Sequence, residues 1–500
     1  MSVILNEVRR STYFDSIVLM RISRQIAALP GVEEAGLVIG TPANKDILRE
    51  ARILGPDGDK AEPGDLILAL RAEDNATGEA ALAEAKRLLD QPGVSGPPSS
   101  VGAPRTLRAA VREMGDANLA LISVPGHFAT DEARKALQLG LNVMIFSDNV
   151  GIEDEAALKR EARELGLLVM GPDCGTAIIG GLPIAFANVV PRGDIGIIGA
   201  SGTGIQEVSC LVARAGGGIS HAIGTGGRDL NAQVGAITTL MAIDALDADA
   251  GTRHVVLISK PPADSVAKLV IDRVAQSPKS FTVCFLGARD LALPANARSA
   301  STLEAAAELA MGATSAAAQA KLPFVRAGRG KLVRGLFAGG TLCAEAQIVF
   351  RRAGLEVASN VPAPGASPMA DATGGHLMID LGADEFTRGR PHPMIEPGVR
   401  DQPLADALAD PEVGVILLDV VLGYGAHQDP AGHLAGALVA GTLAKRDHGP
   451  RILASVTGTE SDPQPRAAQV RKLTEAGVIV ADSNADAARM AIMAIGATKP

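Results

Sequence analysis

Residue types on which nucleic-acid-binding proteins depend are scarce in this chain. Among 500 residues there is no Trp, and there are only 2 Tyr and 10 Phe. Because single-stranded nucleic acid is bound largely by stacking its bases on aromatic rings, the composition argues against that partner. The formal net charge of -9 also disfavours binding of a polyanion. We therefore expect no nucleic-acid partner, although a helix N-terminus still provides a local site for a small anion.

Cysteine and long apolar runs are also scarce. The four Cys residues are far apart in the sequence, form no CxxC pair, and give no disulfide framework, and the eight His residues show no metal-ligand spacing. No apolar run approaches the roughly 18 residues that a membrane-spanning helix needs, and the start MSVILNEVRRSTYF predicts no signal peptide. These features predict a cytoplasmic protein with no metal site and no membrane partner.

What the sequence does contain is a regular alternation of short apolar runs and longer amphipathic stretches. Val- and Ile-rich runs such as LALISVP, DIGIIGA, RHVVLIS and EVGVILLDVVLG are separated by stretches with helical spacing. Short buried runs between helices are typical of parallel strands in βαβ units. The predicted fold class is therefore α/β with doubly wound sheets.

Clusters of Gly, Pro and Ser predict the domain boundaries. They occur at QPGVSGPPSSVGAP (91–104), near 189–194 and near 319–330. The predicted domains are then a small N-terminal α/β domain of ferredoxin-like type, a Rossmann-like domain and two further α/β domains. Their predicted bounds are 1–95, 100–190, 191–322 and 326–500.

The stretch GASGTGIQE, residues 199–207, reads as a strand, a tight turn and the start of a helix. Gly202 and Gly204 allow a close approach of the backbone to a ligand, and Ser201 and Thr203 bring hydroxyls to the helix start. The free N–H groups of that helix start favour a phosphate or a carboxylate. The alternative is an ordinary strand-to-helix turn capped by Ser and Gly.

Two further glycine turns follow predicted strands. In GTGGRDL (224–230), Gly226 and Gly227 expose the backbone, and Arg228 stands where a guanidinium is able to clamp a carboxylate. The alternative here is a surface Arg in a turn.

The third turn, GYGAHQD (423–429), opens a later helix. Gly423, Gly425 and Ala426 form the turn, and His427 near the helix start suits a base, an acid or a phosphate ligand. The alternative is a partly exposed His at a helix cap.

Together these segments resemble the succinyl-CoA synthetase superfamily, and in particular its FdrA-type, acyl-CoA-synthetase-like branch. GPDCG, with Asp173 and Cys174, matches a turn of the CoA-binding domain. GASGTGIQE matches a phosphate-binding helix start, where Glu207 falls on an acidic residue that faces the family's phosphohistidine. The resemblance implies a Rossmann-like CoA-binding-type domain (100–190) and two flavodoxin-like ligase domains. The ligase domain at 191–322 is of the alpha type, and the one at 326–500 is of the C-terminal type of the beta subunit.

The sequence departs from that family in three places. The segment 288–310, which matches the region of the phosphorylated His, contains no His. A Pro-rich linker replaces the first CoA-phosphate turn, and no ATP-grasp sequence is present. We therefore expect that this chain requires no cofactor by itself, while CoA remains an implication of the resemblance.

The resemblance implies a transferase subunit that acts on an acyl phosphate. The FdrA branch points to carbamoyl transfer between carbamoyl phosphate and oxamate in purine (allantoin) breakdown, within an oligomer that has partner protein subunits. Arg228 would then hold the oxamate carboxylate, and Glu207 or His427 would take up the proton. One alternative is an acyl-CoA synthetase whose ATP-grasp part comes from a partner, with His427 in place of the lost phosphohistidine. The other is a scaffold without catalysis.

Overall fold

The computed structural model divides into two compact units, and each is described separately. Unit 1 comprises Met1–Ala110 and Thr387–Pro391, and unit 2 comprises Val111–Phe386 and His392–Pro500. The predicted linker 91–104 lies almost wholly outside the described residues, as do several residues of the break at 319–330. The described residues are 2–10, 12, 14, 16–91, 104, 106–288, 291–312, 322–323, 325, 327–328, 330–371, 374–387, 391–440 and 449–496.

Unit 1 is a three-stranded antiparallel sheet with helices on both faces. The strand order is β1-β3-β2, and the central strand is buried on both sides because α1 and α4 cover one face while the α2–α3 segment covers the other. The predicted α/β composition of this N-terminal domain is confirmed. The elements are β1 (Val3–Arg9), α1 (Ser16–Ala27), β2 (Val32–Ile39), α2 (Pro42–Glu50), α3 (Pro56–Asp59), β3 (Leu66–Ala72) and α4 (Asn75–Leu89).

Unit 2 contains the remaining elements, except that α5 (Leu107–Met114) and α13 (Asp384–Thr387) include residues of both units. Its strands are β4 (Leu119–Ile122), β5 (Asn142–Ile145), β6 (Val169–Met170), β7 (Thr176–Ile179), β8 (Leu182–Ala185), β9 (Ile195–Gly199), β10 (Ile219–Gly224), β11 (His254–Ser259), β12 (Ser280–Phe285), β13 (Ala297–Ser299), β14 (Leu332–Phe337), β15 (Val357–Ser359), β16 (Ser367–Pro368), β17 (His376–Asp380), β18 (Val413–Val421), β19 (Arg451–Thr457) and β20 (Ile479–Ala481). Its helices are α6 (Gly126–Gln138), α7 (Ile152–Glu164), α8 (Gly202–Arg214), α9 (Ile237–Ala248), α10 (Asp264–Ala275), α11 (Leu303–Ala310), α12 (Gly340–Arg352), α13 (Asp384–Thr387), α14 (Asp401–Ala409), α15 (Pro430–Ala440), α16 (Arg466–Glu475) and α17 (Asn484–Ala494).

These strands form three sheets. Sheet A has the order β13-β12-β11-β9-β10-β7-β8, and its first five strands are parallel, whereas β7 pairs antiparallel with both β10 and β8. Sheet B has the order β16-β15-β17-β14-β18-β19-β20 and is parallel throughout. A small parallel sheet, β4-β5-β6, precedes them. The apolar runs predicted as strands are confirmed, and the α/β fold class with them.

One hydrophobic core joins sheet A to sheet B. The core contains Ile197 and Val256 from sheet A together with Phe337 and Leu417 from sheet B. Between them, α8 packs against α11 and α12, and α12 packs against α17. The two sheets therefore share buried surface, so the loops at their strand ends are held in fixed positions. Within the described part of the chain, no helix is long and apolar enough to cross a membrane.

Candidate functional site

The helix start at the first glycine turn meets a helix start from the other sheet. Ser201 is the N-cap of α8, and its Oγ accepts a hydrogen bond from Gly204 N at 3.1 Å. The same hydroxyl forms a hydrogen bond with Thr341 Oγ1, in the first turn of α12. The positive ends of two helix dipoles therefore converge there. The sequence analysis did not predict α12 as the partner of this turn.

The second glycine turn packs on the predicted GPDCG turn. A Cβ at Gly226 would overlap the carbonyl oxygen of Pro172, so this glycine is required by close packing. A Cβ at Gly227 would instead have Asp173 Oδ2 at 3.9 Å and Ala200 O at 4.0 Å as its nearest neighbours. Gly227 therefore borders open space between the loops that follow β6 and β9.

Asp173 marks that open space as a cleft. Its side chain is exposed to water, yet protein atoms surround it on most sides. Burial raises the pKa of Asp173 to about 6, and the carboxylates of Asp148 and Asp384 add to the rise while Arg228 opposes it. A carboxyl group that water reaches but protein largely encloses suits a ligand-binding cleft.

A second carboxyl group enters the site from sheet B. Asp380 ends β17, and burial raises its pKa to about 6, against the hydrogen bond from Gly382 N at 2.9 Å and the charge of Lys260. Lys260 directly follows β11 and is exposed. The carboxyl ends of strands from both sheets thus lie around one region, where open α/β sheets bind their ligands.

Cys174 supports the turn from inside the protein. It is 2% exposed, burial raises the pKa of its thiol to about 12, and it lies beneath Gly224. A thiol with this pKa is neither a nucleophile nor a ligand at neutral pH. The predicted binding role of Cys174 stays a prediction that this burial does not favour.

Arg228 is held by two contacts at the edge of the cleft. Its Nη2 donates a hydrogen bond to Val150 O at 2.8 Å and lies 2.9 Å from Glu155 Oε2. That oxygen accepts no hydrogen bond of good geometry among the described residues, so the contact is an ion pair. The side chain of Arg228 is 42% exposed, so it also reaches solvent at the cleft.

A fully buried Lys, which the sequence analysis missed, fixes this second turn. Lys159 Nζ lies 2.8 Å from Glu155 Oε1 and 2.8 Å from Asp229 Oδ1, and it donates to Thr225 O at 2.9 Å. All three charged side chains are buried. The charge network anchors the turn to α7, which explains why Gly227 and Arg228 have defined positions.

The third glycine turn lies against Phe186, and this residue links it to the first turn. A Cβ at Gly425 would overlap the ring of Phe186, and Gly425 has a φ of +79°. The carbonyl oxygen of Phe186 accepts a hydrogen bond from Thr176 Oγ1 at 2.6 Å, and that hydroxyl lies against Gly202. The structure therefore brings the two predicted anion-binding turns to one place.

The remaining residues of these turns are accessible to different degrees. Thr203 and Ala426 are half-buried, as are Ser201 and Gly202, whereas Gly204 and Gly423 are buried. Gly425 is exposed, whereas the N–H group of Ala426 donates to Gly423 O at 3.4 Å. A small anion is therefore able to reach the N–H groups of Gly202, Thr203 and Gly425.

His427 is half-buried at the start of the segment that leads into α15. Its ring Nδ1 accepts a hydrogen bond from Asp429 N at 3.0 Å. The backbone N–H of His427 donates to Met394 O at 2.8 Å. The ring packs edge-on against His433, with 6.2 Å between the ring centroids. A neutral imidazole whose Nδ1 accepts a hydrogen bond carries its proton on Nε2.

Glu207 lies inside the protein, between the two sheets. It is 3% exposed, and its Oε2 accepts a hydrogen bond from Thr457 Oγ1. Its Oε1 accepts one from Asn484 N at 3.2 Å. Both carboxylate oxygens are therefore used, one to join α8 to β19 and the other to join α8 to α17. A catalytic role for Glu207 stays a prediction.

Three family models match the chain. The CoA-ligase model matches residues 336–494, the CoA binding domain model matches residues 192–287, and the heavy metal-associated domain of AllF matches residues 1–102. The sequence analysis places the CoA-binding-type domain at 100–190, and those predicted boundaries stay predictions.

The curated relatives include one that matches nearly the whole chain. Uncharacterized protein YahF of Escherichia coli (strain K12) is 41% identical over 503 residues, which is 97% of this chain and 97% of YahF. Subunit alpha 2 of the ADP-forming succinate–CoA ligase of Archaeoglobus fulgidus is 31% identical over 126 residues, covering 24% of this chain and 44% of that subunit. The ADP-forming sulfoacetate-CoA ligase subunit SauD of Bilophila wadsworthia is 26% identical, covering 35% and 60%. The chain thus spans about half the length of the ligase subunits that it matches.

Among solved structures, the apo form of the dinucleotide forming acetyl-coenzyme A synthetase 1 of Ca. Korarchaeum cryptofilum is similar at 17% identity and a TM-score of 0.32. The match covers 76% of this chain and 82% of that one. The fold is an α/β fold with CoA-binding and CoA-ligase domains and a small N-terminal domain. The chain belongs to the family of YahF, and its own matches to the CoA-ligase and CoA binding domain models support its place in the succinyl-CoA ligase superfamily.

Proposed function

We propose that this chain is an acyl-CoA-synthetase-like subunit that binds an acyl phosphate in a carboxylate–CoA ligase reaction. The observation that carries the proposal is that Gly202 of the turn 199–204 packs on Thr176, Gly425 of the turn 423–427 packs on Phe186, and Thr176 Oγ1 donates a hydrogen bond to Phe186 O. The relatives named as subunits of ADP-forming CoA ligases support it. The nucleotide site belongs to a partner subunit in this proposal, and the cytoplasmic location and the oligomer stay predictions.

The chemistry needs donors placed where phosphate charge develops. When the thiolate of CoA attacks the carbonyl carbon of an acyl phosphate, the C–O bond to phosphate breaks and phosphate leaves with the electron pair. The N–H groups at Gly202, Thr203 and Gly425, with the hydroxyl of Ser201, supply fixed dipoles for that leaving group. They require no reorganisation at the moment of reaction, because packing against Thr176 and Phe186 already holds both turns.

His427 acts in this proposal as an acid or a phosphate ligand. The hydrogen bond from Asp429 N occupies the lone pair of Nδ1, so Nε2 carries the proton in the neutral ring. An Nε2–H group donates to a phosphate oxygen, whereas a phosphoryl acceptor needs a free lone pair. The geometry therefore favours His427 as donor over His427 as the replacement for a phosphohistidine.

A second candidate is carbamoyl transfer, and one sequence observation favours it. The segment 288–310, which matches the region of the family's phosphorylated His, contains no His. Without phosphoryl transfer through a His, the phosphoryl group has to reach the site already joined to the acyl group. Carbamoyl phosphate meets that condition, and the exposed part of Arg228 is available to the carboxylate of oxamate. The comparisons favour the CoA-ligase reading, because the named relatives are CoA ligases.

Two assays on the complex that co-purifies with this chain separate the candidates. The first supplies ATP, CoA and a carboxylate and measures thioester and ADP. The second supplies carbamoyl phosphate and oxamate and measures released phosphate. We expect thioester formation that depends on both the chain and its partner. Phosphate release without thioester formation would replace the ligase proposal by carbamoyl transfer. The absence of both products would support the hypothesis of a scaffold without catalysis.

A further inference from the structure

The turn 423–427 is held by one buried Gln side chain, which the sequence analysis did not single out. Gln464 is 4% exposed, and its Oε1 accepts a hydrogen bond from Gly423 N at 2.9 Å. Its Nε2 donates to Gly423 O at 3.2 Å, to Ala426 O at 3.4 Å and to His427 O at 3.0 Å. Because an N–H group meets the oxygen and carbonyls meet the nitrogen, the orientation of this amide is unambiguous.

The loop that contains Gln464 also contacts the segment between β8 and β9. Asp462, two residues before Gln464, accepts hydrogen bonds from Asn188 Nδ2 at 2.8 Å and Val189 N at 2.7 Å. Asn188 in turn accepts a hydrogen bond from Gln206 Nε2 of α8 at 3.0 Å. These side chains are 1–4% exposed, so water does not compete for their hydrogen bonds. Asn188 Nδ2 and Gln206 Nε2 also donate to Leu422 O at 3.0 Å and 3.3 Å, so buried hydrogen bonds connect α8 to the residue that precedes the turn 423–427.

We propose that Gln464 is a positioning residue that holds the turn 423–427 in its anion-binding conformation relative to α8. The turn needs such a clamp because Gly423 and Gly425, with φ of +111° and +79°, have no side chains to fix their backbone. The anion-binding part of this inference rests on the proposed function. The conformational part does not, since it concerns the turn alone.

The chain offers a matched control for the experiment. Gln347 is also fully buried, and it clamps a different loop of sheet B. Its Nε2 donates to Val361 O at 3.2 Å, and its Oε1 accepts from Ala363 N at 2.8 Å. Gln347→Leu therefore removes the same kind of side-chain hydrogen bonds from a different loop. An effect that only Gln464→Leu shows is then specific to the turn 423–427 and is not a general loss of stability.

The test is hydrogen–deuterium exchange of the full chain, followed by titration with inorganic phosphate. We expect Gln464→Leu to speed exchange in peptides covering 423–427 by about tenfold or more, and to weaken phosphate binding by about tenfold. Gln347→Leu should speed exchange at 359–363 and leave phosphate binding unchanged.

Wild-type exchange at 423–427 in Gln464→Leu would overturn the inference, whatever phosphate does. If the Leu variant fails to fold, Gln464→Glu keeps the acceptor for Gly423 N and loses the donations, so the same comparison applies. A wild-type chain that binds no phosphate contradicts the proposed function alone, because the exchange result still decides the role of Gln464.

The N-terminal domain carries a second, independent inference. Residues 1–102 match a heavy metal-associated domain, yet this segment contains no Cys and no His. The first His of the chain is His127 and the first Cys is Cys174, and Met1 and Met20 are the only sulfur-containing residues of the segment. Soft metal ions are bound by thiolate, imidazole or clustered thioether groups. The donor set therefore does not fit such an ion.

We infer that this domain binds no soft heavy-metal ion and that its fold serves another purpose. The four Cys elsewhere are buried, and burial raises the pKa of each thiol, so they do not supply the missing ligands. Competition between the reduced full chain and a chromophoric Cu(I) chelator tests this. We expect the chelator to keep all of the copper, and transfer of one equivalent of Cu(I) to the protein would overturn the inference.

Discussion

Among single residues, Lys159 has the largest predicted effect on stability. Its ammonium group is fully buried between Glu155 and Asp229, so Lys159→Met removes the ion pair of Asp229 and leaves Glu155 paired only with the partly exposed Arg228. Breaking a buried ion pair in this way costs about 3–5 kcal/mol. Urea denaturation measures the loss of unfolding free energy.

A surface Lys provides the comparison. Lys268 pairs with Asp272 and its side chain is 76% exposed, so Lys268→Met should cost about 0–1 kcal/mol. Equal losses in the two variants would show that the buried network does not anchor the second glycine turn.

The carboxyl group of Asp173 predicts how anion binding depends on pH. Its pKa of about 6 means that it is neutral below and negative above that pH. An anion in the cleft therefore meets added repulsion as pH rises through 6, and we expect sulfate, whose charge is constant there, to bind several-fold more weakly at about pH 7.5 than at about pH 5. Calorimetric titration of the wild type and of Asp173→Asn measures this, and an unchanged pH dependence in the variant would remove Asp173 from the site.

At the scale of elements, two neighbouring glycines of the second turn should respond differently to the same change. A Cβ at Gly226 overlaps Pro172 O, and Gly226 has a φ of +83°, so Gly226→Ala should destabilise the protein by roughly 1–3 kcal/mol. A Cβ at Gly227 meets nothing within 3.9 Å, so Gly227→Ala should leave thermal unfolding unchanged and weaken anion binding. Unfolding scans and titration of both variants test this, and normal anion binding by Gly227→Ala would place the ligand elsewhere.

The elements were largely predictable from the sequence, and the partners within the site were not. Strands such as β9, β11 and β18 are short Val- and Ile-rich runs, so local composition is enough to identify them. The contact of Ser201 with Thr341 joins residues 140 apart in the sequence, and Gln464 reaches its turn across about 40 residues. No local periodicity records such contacts, so Lys159, Gln464 and the role of α12 emerged only from the fold.

At the scale of the molecule, one buried group predicts how the stability of unit 2 depends on pH. Glu345 of α12 accepts hydrogen bonds from Leu303 N and from Asn484, and burial raises its pKa to about 8. The folded pKa lies above the unfolded value, so the stability present below about pH 4.5 is lost progressively as pH rises toward 8.

Because sheets A and B share one core, we expect unit 2 to unfold in a single transition. The loss of stability with rising pH should then affect that whole transition and not one sheet alone. Urea unfolding at about pH 5 and about pH 8 should show the fall in the wild type and a smaller fall in Glu345→Gln. Equal pH dependence in the two proteins would mean that Glu345 ionises freely in the folded state.

The central claim is that the turns 199–204 and 423–427 form one anion site, and a phosphate titration of three proteins tests it most directly. Gly202→Val brings a branched side chain against Thr176, whose hydroxyl links the two turns, whereas Gly436→Val places the same side chain in open space on α15. We predict one phosphate site in the wild type and in Gly436→Val, and none in Gly202→Val, with thermal unfolding confirming that all three are folded. Phosphate binding by folded Gly202→Val with wild-type affinity would contradict the account.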